Sequence, residues 1–274
     1  MSEMRIAGVM GWPVGHSKSP RLFDHWFARY DVAGRYVPLA VAPDAFAEVY
    51  RALPKAGFTG VNVTIPHKEA ALALADEVTP PAKEIGAANM IRFVEGRILA
   101  DNTDGFGFLE NLRAGAPGWR GARGPALVLG AGGAARAVLH ALLADGAPEI
   151  RLANRSGEKA EALAALFGPK IQPVAWEDRE PATADVATIV NTTSLGMLGQ
   201  PPLELSLDAA PDSAVVTDIV YAPLKTPLLE AAWSRGLVAV DGLGMLLHQA
   251  RPAFAAWFDV DPEVDERLRA ACLS

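Results

Sequence analysis

PALVLGAGGAARAV, Pro125 to Val138, decides the fold. Ala126 to Gly130 reads as a short buried strand, Gly130-x-Gly132-x-x-Ala135 as a tight turn of small residues, and the alanine-rich run after it as a helix. In a strand-turn-helix context this spacing is the dinucleotide fingerprint: the glycines let the backbone approach a pyrophosphate, and the free N–H groups of the helix N-terminus face it. The plain alternative is a tight turn without a ligand.

Downstream, strands are expected over Glu149 to Ala153, Lys170 to Val174, Val186 to Asn191, Ala214 to Ile219 and Leu237 to Asp241. Helical patterns separate the early ones and the last pair, which predicts a doubly wound parallel sheet. The second strand ends in Ala153-Asn154-Arg155-Ser156, with Lys159 a turn later. NAD-binding versions of this turn place a carboxylate there for the ribose 2′-hydroxyl. Here there is no acid and there are two cations, which suit a 2′-phosphate, so the expected cofactor is NADP. The competing reading is a solvated Arg155 and Lys159.

Upstream, strand-like runs Arg5 to Met10, Arg35 to Val41 and Val61 to Ile65 alternate with helical Pro20 to Tyr30, Asp44 to Lys55 and Lys68 to Ala75. Asn89 to Val94 and Arg97 to Ala100, joined by Glu95-Gly96, read as a hairpin. The first domain is therefore a mixed α/β sheet. A helix opens near Asp104 and runs to about Arg113, and the Gly/Pro/Arg-rich Gly115 to Pro125 reads as a linker. After Gly242 a last helix carries an apolar stripe of Leu246, Leu247, Ala250, Ala253, Phe254 and Trp257, which must pack on something. Packing on the first domain predicts residues 1–103 plus 243–274 as one domain, 104–242 as the Rossmann-type dinucleotide domain with 104–115 as a connecting helix, and a cleft between them.

A chain of 274 residues is long enough for two such domains. The net charge of −7 argues against a nucleic-acid backbone or an anionic membrane surface as partner. Met1 to Met10 lacks the long apolar region of a leader peptide, and Pro125 to Leu143 is interrupted by glycines, Arg136 and His140, so no membrane span is expected. The single cysteine, Cys272, fits a reducing compartment, and the expected location is the cytoplasm. The five histidines show no metal-ligand spacing, so no metal site is expected, and His67 reads as a neighbour of the chemistry rather than a participant.

The chemistry is expected in the first domain. In GVNVTIPHKEAA, Gly60 to Ala71, a strand is stopped by Pro66 and Lys68 falls in the first turn of a helix. A helix N-terminus disfavours a cation, and nothing local requires one there. In GHSKSP, Gly15 to Pro20, Ser17 and Ser19 precede a helix whose first position is Pro20. Ser19 could cap that helix, or both hydroxyls could join free N–H groups in a carboxylate seat. Asp104 reads equally as a cap and as a carboxylate held ionised by the helix dipole. Asn62, Thr64 and Asn89 lie at or near strand ends, where α/β ligands bind, or else serve turns and caps.

These stretches, with NVTIPHK, DNTDG, GAGGAA, NRS, NTTSLGM, DIVYAPLKT and DGLGMLLHQA, resemble the shikimate dehydrogenase family nearly end to end and in the same order. The resemblance implies a two-domain fold and reversible reduction of 3-dehydroshikimate to shikimate by NADPH, with Lys68 and Asp104 as the catalytic pair. It implies Ser17 and Ser19 on the substrate carboxylate and Thr64, Asn89, Asp104 and Gln249 on its ring hydroxyls, with Tyr221 nearby; Asn62, at its strand end, is also expected to bind the substrate. On the cofactor side it implies Gly130, Ala131, Gly132, Gly133 and Ala134 at the pyrophosphate and Asn154, Arg155 and Lys159 at the adenosine phosphate, with Ser156 also expected to bind the cofactor. Thr192, Ile219 and Gly242 would complete the cofactor site, the last two at the nicotinamide end. Met90 stands where the family commonly has threonine, and Ile219 where methionine is frequent. The partners implied are the small-molecule substrate alone, with the protein a monomer or homodimer. A quinate/shikimate dehydrogenase of broader substrate or NAD use, and a non-catalytic sensor on the same scaffold, are the rival readings.

Overall fold

The computed structural model describes residues 4–273; Met1–Glu3, part of the stretch read for a leader peptide, and Ser274, the last residue of the expected substrate domain, lie outside the described residues. The chain divides into two compact units, residues 1–104 with 246–274, and residues 105–245.

The first unit is built on a mixed six-stranded sheet in the order β2-β1-β3-β5-β6-β4. Its strands are β1 (Arg5–Gly11), β2 (Gly34–Ala40), β3 (Phe58–Val63), β4 (Glu77–Val78), β5 (Met90–Val94) and β6 (Arg97–Asp101). β1 is parallel to β2 and β3, whereas β5 runs antiparallel both to β3 and to its hairpin partner β6. The helices are α1 (Ser19–Tyr30), α2 (Phe46–Ala52), α3 (Lys68–Ala73) and α4 (Pro80–Ile85). β3 ends at Val63 rather than Ile65, because the chain turns into Pro66 once Thr64 has donated its N–H to Met10 O. β4 and α4 are additions to the expected order. α4 starts on a cap, the Thr79 hydroxyl accepting the Ala82 N–H, with two prolines in the first turn, a signal present in the sequence.

The second unit has a wholly parallel six-stranded sheet in the order β12-β11-β10-β7-β8-β9. This is the doubly wound order, with the strand sequence reversing at β7 and β10. Its strands are β7 (Ala126–Leu129), β8 (Ile150–Ala153), β9 (Ile171–Val174), β10 (Thr188–Asn191), β11 (Val215–Asp218) and β12 (Val238–Val240). Helices α5 (Asp104–Gly115), α6 (Gly133–Ala144), α7 (Gly157–Phe167) and α8 (Pro227–Ser234) accompany them. The Gly115 to Pro125 stretch is not a free linker: Trp119 is buried in this unit's core and donates its indole N–H to Thr188 Oγ1 at 2.9 Å.

The unit division falls at the first residue of α5 and within α9 (Leu243–Phe258), which is followed by α10 (Glu266–Leu273). Within the first unit, Phe254 and Trp257 of α9 lie among Phe23, Trp26 and Phe27 of α1 and Tyr36 of β2, with Phe23 stacked on Tyr36 at 3.8 Å between ring centroids. Aromatic side chains carry large apolar area, so this cluster is a principal reason for α9 to belong with that sheet.

Candidate active site

The centre of the first unit's site follows from strand order. Because β5 lies between β3 and β6, the residue entering β5 sits between the carboxyl ends of its neighbours: Asn89 accepts the Val63 N–H through its carbonyl at 2.9 Å and donates its own N–H to Asp101 O at 3.0 Å. β3 leads through Pro66 into α3, which begins with Lys68; β6 leads through Asn102 and Thr103 into α5, which begins with Asp104. Three residues far apart in sequence are thereby brought together. Lys68 Nζ donates to Asp104 Oδ2 at 2.5 Å, and Asn89 Nδ2 donates to Asp104 Oδ1 at 2.8 Å.

The carboxylate is thus held at both oxygens. Asp104 does not cap its own helix; Asn102 does so, its Oδ1 accepting the Asp104 N–H at 3.0 Å. Asn89 is fixed in turn. Its Oδ1 accepts the Thr103 N–H at 2.7 Å, and its Nδ2 also reaches Thr103 Oγ1 and Gln249 Oε1 of α9, each at 3.1 Å. Gln249 donates from Nε2 to Leu246 O, and its backbone carbonyl accepts from Thr103 Oγ1. The Lys68 and Asp104 side chains are 20% and 10% exposed, so the pair is shielded yet open to a small molecule. An ammonium carries three hydrogens, and Asp104 takes one of them.

Asn62 is close by but differently employed. Its Oδ1 accepts the Tyr36 hydroxyl of β2 at 2.7 Å and its Nδ2 donates to Asn89 O at 3.1 Å, so one end of the amide ties β3 to β2 and the other holds the backbone at Asn89. Thr64 follows β3 directly, at the turn into Lys68. His67 is buried against the Phe46 ring, with Nε2 2.7 Å from Val41 O, beside Lys68 in sequence and outside its hydrogen bonds.

The seat around Ser17 and Ser19 needs two corrections. α1 begins at Ser19, so Pro20 is its second residue, and the capping position belongs to Lys18, without a side-chain cap. Ser19 therefore does not cap the helix; the Ser17 hydroxyl accepts its N–H at 3.3 Å. Lys18, flanked by the serines, donates from Nζ to Cys272 O at 2.6 Å. Sequence reasoning passed over Lys18, and only the position of α10 could have found it.

In the second unit the glycine turn is built to admit a ligand. Gly130 has φ +104°, a left-handed conformation that costs other residues strain, and a side chain there would meet Thr192 and Thr193. Gly132 and Gly133 have open space where a side chain would stand, so no protein atom explains their smallness. Ala131 donates its N–H to Asn154 Oδ1 at 3.1 Å, and Asn154 Nδ2 donates to Ser156 O at 2.9 Å, tying the turn to the end of β8. Ala134 follows in the first turn of α6. Arg155 and Lys159 are exposed and enter no ion pair among the described residues. Thr192 Oγ1 donates to Leu129 O at 2.7 Å, beside the turn. Gly242 packs so closely on the segment after β11 that a side chain would run into the Ile219 and Val220 carbonyls. Tyr221, on that same segment, is in the second unit, unlike the other residues expected at the substrate; burial pushes its phenol up. Open space at two glycines, a free helix N-terminus and two unpaired cations fit a phosphorylated dinucleotide.

Residues 9–91 match the family described as shikimate dehydrogenase substrate binding domain, and residues 120–219 the family described as shikimate / quinate 5-dehydrogenase. The chain belongs to the shikimate dehydrogenase family. It is 60% identical over its full length to the shikimate dehydrogenase (NADP(+)) of Dinoroseobacter shibae, all of which it covers. It is 58% identical to that of Rhodospirillum rubrum, over 99% of this chain and 98% of the relative. Among solved structures, the shikimate 5-dehydrogenase of Thermus thermophilus in complex with NADP(H) and shikimate has a TM-score of 0.88 at 37% identity, over 98% of this chain and 99% of that one. The quinate dehydrogenase of Corynebacterium glutamicum in complex with NAD is similar in fold, TM-score 0.91, at 28% identity and 99% coverage of both chains. Among the described residues no cluster of His, Cys, Asp or Glu is placed to hold a metal, and no helix is long and apolar enough to cross a membrane.

Proposed function

We propose that this chain catalyses the reversible NADPH-dependent reduction of 3-dehydroshikimate to shikimate, as an oxidoreductase acting on a CH–OH group in the biosynthesis of aromatic amino-acid precursors. The observation that carries the reading is the Lys68–Asp104 pair at 2.5 Å, braced by Asn89, in a family whose relatives are shikimate dehydrogenases. NADPH supplies the hydride. Lys68 supplies the proton: as ammonium it stabilises charge growing on the carbonyl oxygen and donates to it, and in reverse the amine takes the hydroxyl proton. Asp104 orients the amine with one oxygen while Asn89 holds the other.

Ser17 and Ser19 take the substrate carboxylate, and Thr64, Asn89, Asp104 and Gln249 its ring hydroxyls. Asn62, with both ends of its amide committed, shapes this surface from behind. Tyr221 is proposed as a substrate contact as well. There Gly130, Ala131, Gly132, Gly133 and Ala134 hold the pyrophosphate, and Asn154, Arg155, Ser156 and Lys159 the adenosine phosphate. Thr192, Ile219 and Gly242 serve the remainder, the last two at the nicotinamide. The protein works in the cytoplasm, as a monomer or homodimer. NADPH formation followed by absorbance, with shikimate or quinate and NADP or NAD, tests the reading. Fastest turnover with shikimate and NADP is expected; preference for quinate and NAD overturns it in favour of the broader dehydrogenase, and no turnover with any pair favours a sensor.

A further inference from the structure

Asp218 ends β11 fully buried, and its partners are neutral. Its Oδ1 accepts the Val220 N–H and Asn191 Nδ2, each at 3.0 Å, and its Oδ2 accepts the Thr226 hydroxyl at 2.7 Å. Burial pushes this carboxyl up, against the pull of the Val220, Thr226 and Asn191 hydrogen bonds. Well-packed apolar groups commonly replace buried charge without loss of stability, so such a carboxylate is not explained by folding alone.

The hydrogen bonds continue outward in one directed chain. Asn191, at the end of β10, also donates to Leu195 O at 3.1 Å, and its Oδ1 accepts both the N–H and the hydroxyl of Thr193, at 3.0 and 2.7 Å. Thr193 Oγ1 then accepts the Leu195 N–H at 3.0 Å. On the other side Thr226 caps α8, its hydroxyl accepting the Leu229 N–H. One carboxylate thus joins the turn at 191–195, the segment at 219–221 and the start of α8. The first two carry Thr192, Ile219 and Tyr221. The segment at 219–221 is further fixed by the Ile219 N–H donating to Asn191 O at 3.1 Å and by the close approach of Gly242.

We propose that Asp218 is a positioning residue for hydride transfer: through Val220 it sets the segment carrying Ile219, against which the nicotinamide end of the cofactor rests, and through Asn191 it sets the neighbouring turn that carries Thr192. This rests on the cofactor reading above. Among the described residues the adenosine end, at Asn154, Arg155 and Lys159 beyond β8, makes no direct hydrogen bond to Asp218, Asn191 or Thr193; the route between them runs through Thr192 and the glycine turn, so the two ends can be compared by experiment.

The test uses the full-length protein, with two measurements on each variant: calorimetric affinity for adenosine 2′,5′-bisphosphate, which lacks nicotinamide, and the single-turnover rate of NADPH formation from shikimate and NADP. Asp218→Ala should lower the rate about 10²-fold, the scale expected for misplacement of a reacting group by roughly 1 Å, and leave bisphosphate affinity as in the wild type. Asp218→Asn, which keeps an acceptor for Val220 and Asn191, should restore most of the rate. Thr193→Val preserves shape and deletes two outer links, so it keeps the test decisive should the alanine variant not fold; about tenfold slower transfer is expected. An unchanged rate in Thr193→Val, or parallel loss of rate and bisphosphate affinity in Asp218→Ala, overturns the proposal. Failure of the wild type to bind the bisphosphate would instead overturn the cofactor reading.

Discussion

Replacing Lys68 separates its two proposed contributions. In Lys68→Ala, Asp104 Oδ2 loses its ammonium partner while Oδ1 keeps the Asn89 amide. Breaking a fully buried pair costs about 3–5 kcal/mol because a charge is left unpaired. Here the side chains are 20% and 10% exposed, and one hydrogen bond to the carboxylate survives, so partial solvent screening brings the expected loss to about 1–3 kcal/mol. Removing the proton donor should also lower kcat by about 10²-fold or more, equivalent to roughly 2.7 kcal/mol in the barrier. Lys68→Arg distinguishes the effects. Guanidinium keeps the positive charge and can pair with Asp104, yet it does not release a proton in the working pH range. Its stability in urea should therefore return towards the wild type while kcat stays low. Parallel urea unfolding and steady-state turnover on both variants make the comparison, with NADP affinity as a control expected to be unchanged. Near-normal kcat in Lys68→Arg would refute proton transfer by Lys68, and near-normal kcat in Lys68→Ala would refute any catalytic part for it.

Arg155→Ala should weaken NADP about tenfold or more and leave NAD nearly untouched, since a charge-assisted bond to phosphate contributes on the order of 1.5–3 kcal/mol; equal losses in titrations of both cofactors would remove Arg155 from the 2′-phosphate. Ser17→Ala should raise KM for shikimate without a comparable change in KM for NADP, and unchanged shikimate kinetics would exclude the carboxylate seat. Gly133→Ala meets open space, so the melting temperature should hold or rise, a gain of about 0.4–1 kcal/mol being usual for such a change, while NADP affinity falls; undiminished affinity would show that no ligand approaches there. Because burial raises the Asp218 pKa, its folded form is favoured below the ordinary carboxylate value and loses that contribution as pH rises through the folded value. Asp218→Asn should accordingly gain stability relative to the wild type from about pH 4 upward, a trend read from urea unfolding across pH, and a constant difference would contradict it.

The parts of this architecture that sequence discloses are those set by period and local chemistry. The strand-glycine-helix turn at Gly130 is legible because a left-handed residue and an open helix N-terminus both demand small side chains in fixed order. The order of elements follows from alternating patterns in the same way, apart from β4 and α4, which are too short to show a period. Lys68 stands out because it violates a local rule, and violations without structural gain concentrate at functional sites. The assignments that failed depend on distant partners. Ser19 looks like a cap until α1 is seen to include it, and Gly115 to Pro125 looks like a linker until Trp119 is found buried against Thr188. Asp218 carries no local anomaly at all; its burial and its Asn191 and Thr226 partners emerge only when β10, β11 and α8 are assembled.

Once assembled, the polar atoms sort the residues by what they have left to give. Both ends of the Asn62 amide are spent inside the protein, so it can shape a site and offers a ligand little. Asn89 is more heavily used, its two amide hydrogens shared among Thr103, Asp104 and Gln249, which makes it the fixed point about which the others are arranged. Lys68 gives one hydrogen of three to Asp104 and is held at its backbone as well, its carbonyl accepting the Ala88 N–H at 2.9 Å next to Asn89. A reacting group is effective when its support is rigid and its own bonding incomplete. Lys68 meets both conditions, and Asp104, with both oxygens engaged, meets the first. The proposed division of labour follows from these bonds: proton transfer is given to Lys68, whose bonding is incomplete, and its support to Asp104.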